Sequence, residues 1–204
     1  MENIDKIIYI NLDRRLDRKQ EIAQEFDKMN ISKEKIIRFS AINNKLRPEV
    51  GCTESHLEVL KLAKKNNYNN ILILEDDFTF LVNKDKLNEL LNNFFNSKIE
   101  YDVLMLSYHL KGEQLPYNKL IGKGVNIQTA SGYIVNKKFY DKLIDNLSKA
   151  LDLLKPTKKH WLYMNDQYWK KLQPISDWFY FLERIGKQRK SYSNLGLSVA
   201  DYGF

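Results

Sequence analysis

The sequence has one cysteine, Cys52, in 204 residues. A lone cysteine closes no intrachain disulfide and cannot build a cysteine-held structural zinc site. This usage fits a reducing compartment, and packing Cys52 as a small buried apolar residue is its expected role. Long apolar runs are also missing. No stretch approaches the roughly 18 to 20 apolar residues that a membrane-spanning helix requires, so contact with a bilayer is expected to be peripheral at most. The opening Met1-Glu2-Asn3-Ile4-Asp5-Lys6 carries acids ahead of a short apolar run. It reads as the approach to a first strand, not a secretory segment, and leads us to expect a cytoplasmic protein. Internal repeats and low-complexity linkers are absent, and the length suits a single domain, residues 1–204, with a substantial core.

Lys and Arg number 33 against 26 Asp and Glu, a net charge of +7, with 43% hydrophobic and 29% charged residues. The composition is that of an ordinary globular protein, and the surplus of positive charge favours anionic partners such as nucleotide diphosphates. Nucleic acid is not among the expected partners, because positive charge without a recognised binding module is weak evidence for it.

The first half of the chain alternates strand and helix. Lys6 to Leu12 is a buried-strand pattern, and Asp17 to Met29 places Ile22, Phe26 and Met29 at helical spacing. Ile36 to Phe39 suggests a second strand, Glu54 to Lys65 a second helix, and Asn70 to Leu74 a central parallel strand buried on both faces. Asn83 can cap a helix from Lys84 to Phe95, followed by a strand over Asp102 to Leu106. Ser107 to Gly124 reads as a long loop, then come short strands at Asn126 to Thr129 and Tyr133 to Val135, and a helix from Asn136 through Leu147. The expected fold is α/β, with a Rossmann-like, mostly parallel sheet flanked by helices.

The strand at Asn70 ends in Glu75-Asp76-Asp77. Hard divalent cations prefer carboxylate oxygens, and a nucleotide diphosphate needs its charge offset before it can leave. If the backbone stays extended, Glu75 and Asp77 share one side and can hold an ion, while Asp76 faces the other side. A solvated strand end would carry the same residues. The text also mimics the strand and acid of a P-loop nucleotidase, but no G-x-x-x-x-G-K-[ST] occurs in the chain. It mimics a response-regulator receiver too, except that Ser107 stands where the phosphoacceptor would be.

Ile8 to Arg18 (I-Y-I-N-L-D-R-R-L-D-R), Gly51 to His56 (G-C-T-E-S-H) and Ile71 to Asp77 together resemble glycosyltransferase family 25 in order and spacing. The resemblance extends to Thr129 to Val135, Met164 to Trp169 and Arg189 to Ser193. It implies a GT-A-like fold and inverting transfer of a hexose, galactose or glucose, from a UDP-sugar to a glycan or hydroxylysine acceptor, with Mn2+ or Mg2+ as cofactor. It also implies a nucleotide-sugar-binding half over residues 1–106 and an acceptor-side half over 107–204.

On this reading Glu75 and Asp77 hold the metal and Asp76 contacts the donor. Asn11, Arg14 and Arg18 follow the first strand, where α/β folds bind nucleotides and guanidinium forks match phosphate oxygens. An exposed helix start would explain them equally. His56 stands by the donor after a short loop, or is a satisfied structural histidine. Ser131 and Gly132 allow a ligand to approach the backbone closely, as a simple bulge would also do. Arg189 sits in a basic cluster suited to a diphosphate, or to a solvated tail. Inverting displacement needs a base at the acceptor hydroxyl, and Asp166 is the candidate, with a helix N-cap as its other reading. A domain that binds nucleotide or glycan without turnover is the alternative to an enzyme.

Overall fold

A computed structural model describes residues 1–193 and 198–200, with side chains described through 190. The first half runs β1 (Lys6–Asn11), α1 (Leu16–Lys28), β2 (Ile36–Ser40), α2 (Pro48–Lys65), β3 (Asn70–Glu75), β4 (Phe78–Phe80), α3 (Lys84–Asn96) and β5 (Val103–Met105). Then follow β6 (His109–Leu110), β7 (Ile121–Lys123), β8 (Ile127–Gln128), β9 (Gly132–Asn136), α4 (Tyr140–Thr157), α5 (His160–Tyr163) and α6 (Asn165–Tyr168). The last strands are β10 (Trp178–Phe181), β11 (Gly186–Gln188), β12 (Ser191–Ser193) and β13 (Ser198–Ala200).

Seven strands form the central sheet in the order β2-β1-β3-β9-β5-β10-β7. Its ladders show β2, β1, β3, β5 and β10 running one way, with β9 and β7 reversed. The sheet is therefore mostly parallel, as the strand-helix alternation predicts. It also interleaves strands from both halves of the chain, since β9 lies between β3 and β5.

Alternation along β1 and β3 divides the core in two. Ile8, Ile10, Ile71 and Ile73 face Leu57 and Leu60 of α2 and Leu143 and Leu147 of α4. Ile7, Tyr9, Leu72 and Leu74 face Ile22 and Phe26 of α1 and Leu87 and Leu91 of α3. Burial on both sides is why these strands read as unbroken apolar runs. Asn83 caps α3 as expected, its side chain accepting from the Lys86 N–H.

Three local expectations change. The helix expected from Glu54 begins at Pro48, so the segment before His56 is helical and not a loop. Pro48 suits a first helical position, and Gly51 is needed because a Cβ there would collide with the Ile42 carbonyl. Thr53 and Ser55 then satisfy their hydroxyls inside the helix, donating to the carbonyls of Glu49 (2.9 Å) and Gly51 (2.7 Å). The expected loop from Ser107 to Gly124 contains β6 and the edge strand β7, which pairs antiparallel with β10. The helix expected to end at Leu147 continues to Thr157, because Leu151 and Leu154 extend its buried stripe.

The short β4–β11 ladder positions the acidic run. Phe78, fully buried, is gripped between Gly132 and Gly186; a Cβ at either glycine would run into its ring. The same ladder brings Gln188 opposite Phe78 and puts Arg189 next to the acids.

Candidate active site

Asp76 and Asp77 form the turn between β3 and β4, so the run is not extended. The tight return into β4, fixed by Phe78, overrides the alternation that would have put Asp76 on the opposite side. Arg18 of α1 lies between the two aspartates. Its Nη1 stands 2.8 Å from Asp76 Oδ1 and 3.0 Å from Asp77 Oδ2, with all three side chains nearly buried. The second Asp76 oxygen accepts from Asn11 Nδ2 at 2.7 Å. Arg38, which no sequence motif marks, orients that amide: its Nε donates to Asn11 Oδ1 at 3.0 Å.

Glu75 belongs to a second arm. Its Oε1 lies 3.1 Å from His56 Nε2 and 3.7 Å from Cys52 Sγ, and its Oε2 accepts from Gln188 Nε2 at 3.2 Å. His56 Nδ1 meets the Tyr133 hydroxyl at 2.9 Å. Cys52 is half-buried with its thiol toward Glu75, not a purely apolar packing residue. Burial pushes the Glu75 carboxyl up, but the hydrogen bond and charge of His56, then Arg18 and Cys52, outweigh it and hold Glu75 below its usual range. Burial pushes Asp76 up against Arg18 and Asn11.

Asp77 is the least satisfied member. Burial first, then the Glu75 and Asp76 charges, raise it to about 7 despite Arg18. Its Oδ1 is buried with no hydrogen-bond partner among the described residues. Glu75 and Asp76 crowd Asp77 with negative charge against the Arg18 guanidinium, and a cation beside the orphaned oxygen would relieve it.

Asp166 is far in sequence but close in space. It opens α6, which docks on α2 where the Asn165 N–H donates to Thr53 Oγ1 at 3.3 Å. Asp166 does not cap its own helix. Its Oδ2 accepts from the Thr129 N–H at 3.1 Å, and its Oδ1 from Gln167 Nε2 at 3.2 Å. Burial raises its pKa, and the Glu75 charge adds to the rise. Thr129 has φ of 87°, a backbone conformation costly for a β-branched residue and held here by the Asp166 contact.

The remaining predicted residues lie at varied distances from this cluster. Ser131 is buried, donating to Ser107 Oγ at 2.7 Å, while its carbonyl accepts from Glu75 N at 2.9 Å. Gly132 serves the Phe78 packing. Arg189 reaches Glu21 at 2.6 Å and Glu25 at 3.7 Å, and its backbone N–H donates to the Asp77 carbonyl. Arg14 is exposed and donates to Asn43 at 2.6 Å. Ser191 to Ser193 form β12, outside the described side chains.

The orphaned Asp77 Oδ1 is a hard oxygen of the kind Mn2+ or Mg2+ prefers, with Glu75 two residues before it in the chain. Cys52, His56 and Glu75 bring one ligand atom each within 4.8 Å of one another, a mixed set suited to softer transition metals.

The sequence profile of glycosyltransferase family 25 (LPS biosynthesis protein) matches residues 46–156. No curated protein matches. A glycosyltransferase involved in glycosylation of the major capsid of PBCV-1 superposes with a TM-score of 0.57 at 9% identity, covering 94% of this chain and 95% of that one. The glycosyltransferase GlyE of Streptococcus pneumoniae TIGR4 superposes with a TM-score of 0.50 at 12% identity, over 88% of this chain and 45% of that one. At these identities the likeness establishes the GT-A-like fold alone. Among the described residues no helix is long and apolar enough to cross a membrane. The profile spans more than half of the 204 residues, and with it the acidic turn, Cys52 and His56: the chain belongs to glycosyltransferase family 25.

Proposed function

We propose that this family member transfers a hexose, galactose or glucose, from a UDP-sugar to a hydroxyl of a glycan or hydroxylysine acceptor, with inversion at the transferred carbon. The observation that carries the reading is the turn at Asp76-Asp77, where a buried Asp77 oxygen has no hydrogen-bond partner among the described residues and burial with the Glu75 and Asp76 charges raises its carboxyl.

On this reading Glu75 and Asp77 hold the divalent ion, Mn2+ or Mg2+, which when bound offsets the diphosphate charge. Arg18 and Asn11 fix Asp76 toward the donor, and His56, anchored by Tyr133, sets the Glu75 carboxylate. Ser131 and Gly132 back the donor side, Ser131 by accepting from the Glu75 N–H and Gly132 by admitting the Phe78 ring, and Arg189 and Arg14 supply positive charge at its edges. Asp166 takes the acceptor hydroxyl proton as the new bond forms to the sugar carbon and the bond to the diphosphate oxygen breaks. Its raised pKa strengthens it as a base. Residues 1–106 supply the donor side, and Asp166 comes from the acceptor-side half.

Nucleotide release from a panel of UDP-sugars, with and without Mn2+, tests this. One sugar is expected to turn over with the metal, and Asp77→Asn is expected to abolish turnover while remaining folded. Full activity of that variant would overturn the metal assignment. A second reading, a domain that binds nucleotide or glycan without turnover, draws on the Arg18 guanidinium already seated between Asp76 and Asp77. UDP binding with no turnover across donors and acceptors would favour it.

A further inference from the structure

The end of the molecule beside Asp166 carries apolar side chains that nothing in the fold covers. Leu46 is 91% exposed, Trp161 60% and Leu162 47%. Two segments meet there. Arg47 donates to the carbonyls of Leu154 and Lys155 at 3.1 Å each, tying the loop before α2 to the last turn of α4. The chain then reverses at Lys158, which has φ of 59°, and enters α5 with Trp161 and Leu162.

Charge accompanies the apolar surface. Two nearby acids are engaged, Glu49 by Arg47 and Glu54 by Lys155. Asp152 is the other acid in these stretches, while Lys45, Lys158 and Lys159 are exposed and pair with no carboxylate among the described residues. A scattered exposed leucine is ordinary, but an exposed tryptophan and leucines rimmed by unpaired lysines have the makings of an interfacial site. Tryptophan favours the headgroup level of a bilayer, and clustered lysines are drawn to anionic lipid.

We propose that Leu46, Trp161 and Leu162, with Lys45, Lys158 and Lys159, form a docking surface for an anionic bilayer. The occupant is an anionic lipid surface, because the exposed Trp161 and Leu162 stand in one short helix directly after the exposed Lys158 and Lys159, so apolar and positive groups are presented together. The placement also suits the acceptor side. Leu162 precedes Asp166 by one helical turn's worth of chain, so a docked molecule holds the proposed base close to the membrane plane. This surface stands independently of the donor and metal assignments.

Sedimentation of the whole protein with vesicles of phosphatidylcholine alone, or containing anionic phosphatidylglycerol, tests the proposal. Partitioning is expected only onto the anionic vesicles, falling as salt rises, with a blue shift of tryptophan emission. Lys158→Glu/Lys159→Glu and Trp161→Ser are each expected to lower the partition coefficient about tenfold or more without altering hydrolysis of the soluble donor. Equal binding to neutral vesicles, no binding to either, or variants that bind as well as the parent would overturn it. So would a concentration-dependent dimer, seen by light scattering, that Trp161→Ser dissolves.

Discussion

Asp77→Asn isolates the carboxyl with a buried, unpartnered oxygen among the described residues. In the folded chain Asp77 sits between burial and the charges of Glu75 and Asp76 on one side and Arg18 on the other, and it titrates at about 7 instead of 3.8. A raised carboxyl means the folded state binds the proton more tightly than the unfolded state. Its contribution to stability is full below about pH 4 and is lost as pH rises through about 7, at no more than about 1.4 kcal/mol per pH unit. The rise from 3.8 to about 7 caps the total near 4 kcal/mol. Asparagine keeps the shape and removes the titration. Urea unfolding at pH 5, 6, 7 and 8, with chelator present, is expected to show parent stability falling across this range and the variant profile flatter. Glu75, held low, loses its contribution only in more acidic solution and does not mask the effect. Parallel profiles for parent and variant would refute the burial argument for Asp77.

Arg18→Gln strips the guanidinium from two buried carboxylates and is expected to destabilise the protein by about 3 to 5 kcal/mol, read by urea unfolding at neutral pH. Added Mn2+ is expected to restore part of that loss. Gly132→Ala forces a methyl into the Phe78 ring and is expected to cost about 1 to 3 kcal/mol in the same assay, because β4 and β11 both depend on that ring. Asp166→Asn is expected to lose transfer while keeping UDP affinity in calorimetry. Loss of UDP affinity would instead make Asp166 a donor ligand.

The alternating elements were legible because their signals are local. β1 and β3 carry apolar runs, α1 and α3 carry helical stripes, and Asn83 announces its cap. The start of α2 was not legible, since Thr53 and Ser55 are polar residues whose hydroxyls are satisfied only once the helix exists. The acidic turn was hidden for a different reason. Extended and turned backbones share the same three letters, and the choice is made by Phe78 packing on Gly132 and Gly186, more than fifty and a hundred residues away. Arg18 lies 58 residues from Asp76, so its ion pair leaves no local trace. Arg38, Tyr133 and Gln188 carry no sequence signal as partners of Asn11, His56 and Glu75, because orienting residues need no motif.

Calorimetric titration of UDP, with and without Mn2+, tests most directly whether the acidic turn is a metal-dependent donor site. The parent is expected to bind UDP far more tightly with Mn2+ than without it, and Asp77→Asn to lose that enhancement while unfolding cooperatively. UDP affinity indifferent to Mn2+, or an enhancement unchanged in Asp77→Asn, would contradict the account.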